Sequence, residues 1–223
     1  MKILIVGPSW VGDAVMAQSL YKIIKDFNPE SKIDVLSPEW SLGILERMEE
    51  ISDVIISPFQ HGELKLKERI SLGKTLSKNN YDQSIILTNS FKSSLIPYFS
   101  DIPLRTSWLG EFRYGLINDV KKFNKHDCPL MVERFAMLYK ENLKLKEIPK
   151  PSLRIDKNNI EKLKKDHLID DSMPCIALCP GAEFGPAKRW PSFHYSEVAS
   201  HYLLRGWNVF ILGSSKDRRL RLR

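Results

Sequence analysis

The sequence predicts an α/β protein in which a parallel sheet carries helices on both faces. Short apolar runs alternate along the chain with segments of helical periodicity, a pattern typical of parallel strands joined by helical crossovers. The 223 residues are 43% hydrophobic and 27% charged, values that are ordinary for a globular enzyme. No apolar run reaches the roughly 18 residues of a membrane span. The short apolar start at residues 2–6 is interpreted as a buried strand and not as a signal peptide.

Four strands and four helices are predicted in the first 150 residues, where each strand is a short apolar run bounded by turn-forming residues. The strands are expected at residues 2–6, 33–36, 53–57 and 83–87, and the helices at residues 13–25, near 40–47, 64–77 and 129–143. Between residues 101 and 127, glycine, proline, aromatic and basic residues mix without a period. No element is predicted there.

A second α/β domain is predicted to begin near residue 174. Strands at residues 174–179 and 207–212 flank a helix at 193–204, and a helix at 158–167 precedes them. The predicted organisation is a domain at 1–150, a linker with a helix at 151–173, and the start of a second domain at 174–223. Two strands and one helix are fewer than an independent domain needs. We therefore expect a second domain that is cut short; an exposed basic tail is the alternative interpretation of residues 216–223.

The formal net charge of +7 is concentrated at the end of the sequence. Residues 216–223 hold five basic groups and one acid, so residues 1–215 carry the remaining +3. A mildly basic body suits an anionic phosphorylated substrate or an anionic membrane surface. Nucleic acid is not indicated, because no basic stripe is interleaved with aromatic residues.

The cysteines and histidines show neither a disulfide framework nor a metal-binding pattern. Cys175 and Cys179 share one face of a predicted strand, and we expect free, buried thiols there. The sequence also lacks the D-x-D, H-E-x-x-H and G-x-S-x-G motifs, which argues against several metal-dependent and hydrolytic enzyme classes.

A glycine-containing turn, Gly7-Pro-Ser-Trp-Val-Gly-Asp-Ala14, follows the first predicted strand. Its backbone N–H groups are expected to face a ligand beyond the carboxyl end of the strand. The spacing of its glycines resembles a Walker A loop, but Asp13 stands where the phosphate-binding lysine is required. A nucleotide hydrolase is therefore disfavoured. Asp13 suits either an anionic base or an ordinary first-turn residue of a helix, and spacing alone favours the second.

Two further regions hold groups suited to a sugar phosphate. The long loop at residues 180–191 contains two glycines and the adjacent cations Lys188 and Arg189, which suit a diphosphate or, equally, a solvated surface loop. The segments at residues 88–93 and 105–115 combine hydroxyls, an amide and cations with aromatic side chains. That combination suits a sugar-phosphate acceptor, although each residue separately also has an ordinary surface explanation.

At these same segments the chain resembles the ADP-heptose:lipopolysaccharide heptosyltransferases, in particular their type II members. The resemblance is carried by residues 1–13, 89–93, 113–119 and 129–134. Its most specific part is residues 180–191, Pro-Gly-Ala-Glu-Phe-Gly-Pro-Ala-Lys-Arg-Trp-Pro. It extends from residue 1 to about residue 217, and several long matches in the same order argue against chance.

The resemblance implies a GT-B fold, in which a Rossmann-like N-terminal domain binds the lipopolysaccharide inner core and a second Rossmann-like domain binds ADP-heptose. It implies an inverting, metal-independent glycosyltransferase without a cofactor, with Asp13 as general base and Lys188 binding the diphosphate of the leaving group. The donor-binding residues implied by it are Gly181, Ala182, Glu183, Lys188, Arg189, Gly213 and Ser214. The acceptor-binding residues implied by it are Ser9, Trp10, Gly12, Asn89, Ser90, Lys92, Arg113 and Tyr114.

The resemblance also implies partners and a location. The partners are ADP-heptose and Kdo-lipid A bearing heptose, and the enzyme is expected in the cytoplasm, peripheral at the inner face of the inner membrane. Family members continue further and carry an Asn-Asp-Ser-Gly-type donor-binding segment, which this sequence lacks. A C-terminally truncated and inactive chain is therefore expected. Two alternatives stay open: a non-catalytic fragment that binds the lipopolysaccharide core, and a type I heptosyltransferase.

Overall fold

A computed structural model describes residues 1–60, 62–122, 126, 128–170, 172–182, 186–214 and 217. The chain divides into two compact units, a first unit of Met1–Ile155 and a second unit of Asp156–Arg223. Among the residues described, no helix is long and apolar enough to cross a membrane.

The first unit is a parallel sheet with helices on both faces. Its strands are β1 (Lys2–Val6), β2 (Lys32–Pro38), β3 (Asp53–Ser57), β4 (Gln83–Ile86), β5 (Leu104–Trp108) and β6 (Asp119–Lys121). Its α-helices are α1 (Val11–Phe27), α2 (Leu42–Leu45), α3 (Leu66–Leu76), α4 (Phe91–Phe99) and α5 (Met131–Met137). Short 3-10 turns lie at Glu39–Ser41, Ser77–Asn79 and Leu145–Glu147. The predicted α/β class is confirmed.

The six strands are ordered β3-β2-β1-β4-β5-β6, and every neighbouring pair is parallel. Ile3 on β1 lies beside Ile33 on one side and Gln83 on the other. The chain thus runs outward from β1 in one direction through β2 and β3, and in the other through β4, β5 and β6. A reversal of this kind opens a crevice beyond the carboxyl ends of the two central strands, where α/β proteins bind ligands.

Both faces of the sheet are covered, which explains why β1 is apolar at successive positions. Ile3 and Ile5 pack with α1 and α5 in one cluster that includes Leu20, Trp108 and Phe135. Leu4 points the other way, into a cluster with residues of α3 and α4. Because successive strand residues alternate between faces, the two clusters require an unbroken run of large aliphatic residues.

Three elements of the first unit were not predicted: α4, β5 and β6. Helix α4 contains Ser93, Ser94 and Pro97, residues with low helix propensity, and it forms because its apolar side chains pack against the sheet. Strand β5 buries Thr106 and Ser107 completely, and their hydroxyls are satisfied by hydrogen bonds to neighbouring strands. A pattern of apolar residues cannot show such a strand. The predicted helix at 129–143 is also shorter, ending at Met137.

The segment before the second unit is fastened to the first. Gln18 of α1 donates to the Ser152 carbonyl (2.8 Å) and accepts from the Ser152 N–H (2.8 Å), Ser19 donates to the Pro149 carbonyl (2.6 Å), and the Arg154 N–H donates to the Arg47 carbonyl (2.8 Å). Residues 149–154 therefore form a strap across the first unit.

The second unit begins with α6 (Lys157–Asp166) and continues with β7 (Cys175–Leu178), α7 (Ser192–Leu203) and β8 (Asn208–Ile211). Strands β7 and β8 are parallel. Cys175 and Cys179 lie on one face of the strand direction, as predicted, but the expectation that they are buried is wrong, since both are exposed. Helix α7 covers the opposite face, where Leu178 is buried, and the described residues place nothing over the cysteine face.

Candidate active site

A cavity of about 340 Å³ opens at the carboxyl ends of β1 and β4, where the strand order reverses. Residues 7–10 and Asp13 line it from the β1–α1 turn, and residues 88–90, 92 and 93 line it from the β4–α4 turn. The structure therefore brings together two predicted site segments that lie about 80 residues apart in the chain, because parallel strands place their carboxyl ends at one edge. Cavities of this size accept a small ligand or part of a larger one.

Asp13 lies in the first turn of α1, and its side chain faces this cavity. The helix is preceded by Trp10, which makes no side-chain cap, and the Asp13 carboxylate accepts no hydrogen bond from any described residue. Asp13 is thus a first-turn residue of α1, as one of the two interpretations expects, and it also faces the cavity, as the other requires. Partial burial raises the pKa of Asp13, since removal of water disfavours the charged form; the helix N-terminus acts in the opposite sense. A half-buried carboxylate without a protein partner is suited to accept a proton from a bound hydroxyl.

Gly7 allows the turn after β1 to lie against β2. A Cβ atom at this position would stand 3.2 Å from the Leu36 carbonyl oxygen and 3.2 Å from Ser37 Oγ, while the Gly7 N–H donates to that same carbonyl (2.8 Å). The close approach directs the following residues, Ser9 and Trp10, into the cavity lining.

An aromatic rim borders the cavity. Trp10 and Trp40 both line it and are about half exposed, and the Trp40 indole N–H donates to the Ser9 carbonyl (3.0 Å). The sequence singled out Trp10 but not Trp40, which lies 30 residues away on the β2 side. Flat, amphipathic rings at the mouth of a polar cavity suit a saccharide.

The β4–α4 turn is held in place from the β5–β6 loop. The Glu111 carboxylate accepts from the Phe91 N–H at the start of α4 (2.7 Å), and Gly110 lies so near Asn89 that a Cβ would stand 3.0 Å from the Asn89 carbonyl oxygen. Asn89, Ser90 and Lys92 line the cavity, where the resemblance expects acceptor-binding residues. Their role in binding stays a prediction.

Arg113 and Tyr114 lie outside the cavity lining, and their predicted role in acceptor binding stays a prediction. Arg113 is fully buried, and its guanidinium donates to the carbonyls of Thr88 (2.8 Å), Trp108 (2.5 Å) and Gly110 (3.2 Å) and to the hydroxyls of Ser94 and Ser107. Burial lowers its pKa to about 10. Arg113 positions the cavity-lining turn from behind. Tyr114 is 71% exposed, and Gly12 is likewise exposed and outside the lining.

Arg69 is a cavity residue that the sequence reasoning missed. It belongs to α3, is 5% exposed and lines the cavity together with Asp13 and Lys92. In the sequence it is one cation of a charged amphipathic helix, and its only distinguishing signal is its place on the inward face of that helix.

The predicted donor residues belong to the second unit. The Ala182 carbonyl accepts two hydrogen bonds from Arg189 (2.9 and 3.3 Å), and Lys188 is exposed in a 3-10 turn (Pro186–Lys188). Ser214 donates through its N–H (2.8 Å) and its hydroxyl (2.7 Å) to the Asp217 carboxylate. Glu183 lies outside the described residues.

Gly181 and Gly213 follow β7 and β8, and both lie against Asp217. A Cβ atom would stand 2.6 Å from the Asp217 carboxyl group at Gly181 and 3.1 Å from Asp217 Cβ at Gly213. The carboxyl ends of β7 and β8 therefore admit the Asp217 carboxyl group close to the backbone, and a side chain at Gly181 would displace it.

The model of glycosyltransferase family 9 (heptosyltransferase) matches residues 69–223, which is more than half of the chain. The chain belongs to this heptosyltransferase family. The match begins at α3 and includes the β4–α4 turn, the β5–β6 loop and the second unit.

Among the individual members of family 9, this chain is similar to heptosyltransferases of type 2. It is 45% identical over 97% of its length to lipopolysaccharide heptosyltransferase 2 of Salmonella typhimurium and 44% identical over 98% to lipooligosaccharide heptosyltransferase 2 of Haemophilus ducreyi. It spans 64% and 65% of those two proteins. Because the relatives of this identity are named type 2, the type I alternative is not supported.

Solved structures of heptosyltransferases have the same fold as this chain. The structure of Escherichia coli ADP-heptose lps heptosyltransferase II matches with a TM-score of 0.89 at 41% identity, covering 99% of this chain and 66% of that one. The Escherichia coli heptosyltransferase WaaC with ADP-2-deoxy-2-fluoro heptose matches with a TM-score of 0.70 at 18% identity, covering 99% and 73%. The second likeness shows the fold alone. The predicted GT-B fold is confirmed.

Proposed function

We propose that this protein transfers heptose from ADP-L-glycero-D-manno-heptose to the inner-core heptose of lipopolysaccharide, with inversion and without a metal ion. The observation that carries the proposal is the Asp13 carboxylate, which faces the first-unit cavity without a partner among the described residues in a chain of the heptosyltransferase family.

In the proposed reaction, Asp13 accepts the proton of an acceptor hydroxyl as the hydroxyl oxygen bonds to the anomeric carbon of the donor heptose. The bond from that carbon to the diphosphate breaks, and its electron pair leaves with ADP. Lys188 and the backbone N–H groups near Gly181 and Gly213 offset the charge on the departing diphosphate. Attack on the face opposite the leaving group inverts the anomeric configuration.

The acceptor, in this proposal, is a saccharide carried by Kdo-lipid A. The cavity supports this substrate class, since its lining combines Trp10 and Trp40 with the polar residues Asn89, Ser90 and Lys92. We place this enzyme, as part of the proposal, in the cytoplasm and peripherally at an anionic membrane surface, which the net positive charge of the chain suits. Sedimentation with phosphatidylglycerol vesicles, compared with phosphatidylcholine vesicles, tests this location.

The testing experiment measures heptose transfer from ADP-heptose to mono-heptosylated Kdo-lipid A, for the wild type, Asp13→Ala and Asp26→Ala. Asp26 is an exposed acid near the other end of the same helix, and its removal is expected to leave transfer unchanged. Asp13→Ala is expected to lower kcat by about 100-fold or more, since general-base catalysis contributes about 10²–10⁴-fold. Addition of EDTA to the wild type is expected to change nothing.

A second candidate function is binding of the lipopolysaccharide core without turnover. It is favoured by one observation: every residue that lines the cavity belongs to the first unit. Acceptor binding without transfer in the wild type would support this function and contradict the proposed catalysis. Equal transfer by Asp13→Ala and wild type would contradict the role of Asp13.

A further inference from the structure

Arg69 is a buried cation whose side chain borders the same cavity as Asp13. It lies on α3, which otherwise shows mostly exposed polar side chains, and only 5% of its surface is accessible. Arginine is almost never this buried unless it is paired with an acid. The partners of its guanidinium therefore decide what the residue does.

Among the described residues, only neutral groups hold this guanidinium. Nε donates to the Leu64 carbonyl (2.6 Å), one terminal nitrogen donates to the Glu63 carbonyl (3.2 Å), and the other lies 3.4 Å from the Lys92 carbonyl. The guanidinium carbon lies 4.0 Å from the centre of the Phe59 ring. These contacts fix the position of the group without neutralising its positive charge.

The nearest acid does not neutralise it. The Glu63 carboxylate forms an ion pair with Lys65 (2.9 Å) and accepts from the Gln60 N–H (2.9 Å). Across the described ranges, no carboxylate lies within ion-pair distance of Arg69. Burial lowers the pKa of Arg69, and the charge of Glu63 offsets only part of that effect, which is the direction expected of a cation that has lost water without a close counter-ion.

Lys92 adds a second cation to the same wall. Its carbonyl is one of the acceptors for Arg69, and its side chain lines the cavity from the first turn of α4. A buried arginine and a half-buried lysine at one wall favour an anionic ligand, because buried charge is costly unless it is paired.

Two other arginines of the first unit differ from Arg69, because neither of them lines the cavity. Arg113 is similarly buried, but its guanidinium donates hydrogen bonds to five protein acceptors and does not line the cavity. Arg105 closely matches Arg69 in its protein contacts: it donates to the carbonyls of Leu116 and Ile102 and lies over the Tyr98 ring. It also lies outside the lining. Arg105 is therefore a matched control.

We propose that Arg69 and Lys92 form an anion-binding subsite in the first-unit cavity, which holds a phosphate or carboxylate group of the acceptor saccharide. The anion supplies a counter-ion to Arg69, and it orients the acceptor hydroxyl relative to Asp13. The assignment of the anion to the acceptor rests on the proposed function, whereas the subsite itself does not.

The first experiment uses inorganic phosphate as the probe and the whole 223-residue chain. Phosphate affinity is measured by isothermal titration for the wild type, Arg69→Gln, Lys92→Met and Arg105→Gln. We expect Arg69→Gln and Lys92→Met to weaken phosphate binding by about tenfold or more, in line with the strength of charge-assisted hydrogen bonds, and Arg105→Gln to have wild-type affinity. Lys92→Met leaves the carbonyl links of Arg69 intact, so it tests the subsite even if Arg69→Gln folds poorly.

Two outcomes of this titration would overturn the subsite. One is a wild type that binds no phosphate, and the other is an equal affinity in Lys92→Met and Arg105→Gln. Neither depends on heptose transfer. If the protein binds phosphate through Lys92 but transfers no heptose, the anion-binding subsite is supported and the proposed function is contradicted.

The second experiment identifies the source of the anion. Binding of a soluble inner-core oligosaccharide is compared in three forms: phosphorylated, dephosphorylated, and with its carboxylates reduced to alcohols. If a phosphate group occupies the subsite, wild type and Lys92→Met should bind the dephosphorylated oligosaccharide with equal affinity. If a carboxylate occupies it, the two proteins should bind the reduced oligosaccharide with equal affinity. A difference that survives both treatments overturns the assignment to the acceptor.

Discussion

At the scale of single residues, the first unit contains two buried guanidinium groups, Arg113 and Arg69, that differ in their surroundings. Arg113 is saturated by protein acceptors and ties the ends of β4 and β5 to the loop that follows β5. Arg69 has neutral acceptors and an open side toward the cavity. Both stand as ordinary basic residues in the sequence, and only their surroundings separate a structural tether from a ligand-binding group.

Removal of the Arg113 guanidinium is expected to destabilise the first unit strongly. Arg113→Met leaves buried carbonyls and hydroxyls without donors, and each unsatisfied group costs about 1–3 kcal/mol. We expect the free energy of unfolding, measured by urea titration, to fall by about 3 kcal/mol or more. Arg154→Met is the control, because Arg154 is exposed and its guanidinium makes a single long hydrogen bond of 3.4 Å among the residues that the structure describes. Equal stability of the two variants would show that Arg113 is dispensable to the fold.

At the scale of elements, the packing of α3 against α4 forms one wall of the cavity. The helices approach closely at Gly73, where a Cβ atom would stand 2.7 Å from Phe99 Cβ and 3.0 Å from the Ile96 carbonyl oxygen. This contact, together with Arg69, places α3 beside the turn that carries Lys92. A lone glycine in a charged helix gives no sign in the sequence that a second helix lies against it.

Gly73 in α3 and Gly43 in α2 are expected to respond oppositely to alanine. Gly73→Ala gains helix propensity of about 1 kcal/mol but must push the helices apart, and overpacking costs about 1–3 kcal/mol; a net loss of stability is expected. A Cβ atom at Gly43 in α2 would meet no packing neighbour within 4 Å among the described residues, so Gly43→Ala is expected to stabilise by about 0.5–1 kcal/mol. Thermal unfolding of both variants provides the measurement. A Gly73→Ala protein as stable as the wild type would contradict the close helix contact.

At the scale of the whole molecule, the two units differ in how much apolar surface they bury. The first unit has clusters on both faces of a six-stranded sheet, and its last residues are strapped to α1 by Gln18 and Ser19. In the second unit, Leu178 and Ala199 are the buried apolar residues among those described. The second unit therefore has fewer contacts with which to resist local opening.

Hydrogen exchange is expected to separate the two units. Backbone amides of β7 and β8 should exchange at least about tenfold faster than those of β1 and β4, because local opening free energy follows buried apolar contact. Mass spectrometry of peptides covering residues 2–6, 83–86, 175–178 and 208–211 provides the comparison. Similar protection of all four strands would mean that the second unit is as stable as the first.

The sequence by itself determined the α/β class, the strands that are continuous apolar runs, and the turn that carries Asp13. It did so because strands buried on both faces, such as β1, need an unbroken aliphatic run, and because a turn after such a strand must lie at the ligand-binding edge. It also indicated the segment at residues 89–93, which holds hydroxyls, an amide and a lysine, and the loop at residues 180–191, which holds two glycines and two adjacent cations.

The tertiary structure alone decided the rest. Strand β5 depends on polar side chains whose partners lie on other elements, as in the hydrogen bond from Gln83 to Thr106 (2.7 Å). Helix α4 depends on the packing of its apolar side chains, such as Ile96, against the sheet. Arg113 is a tether and Arg69 a cavity residue for the same reason, since burial and hydrogen-bond partners are properties of neighbours in space. The exposure of Cys175 and Cys179 follows from which face of β7 a helix covers. Local patterns carry the period of an element, but only packing determines what its polar side chains meet.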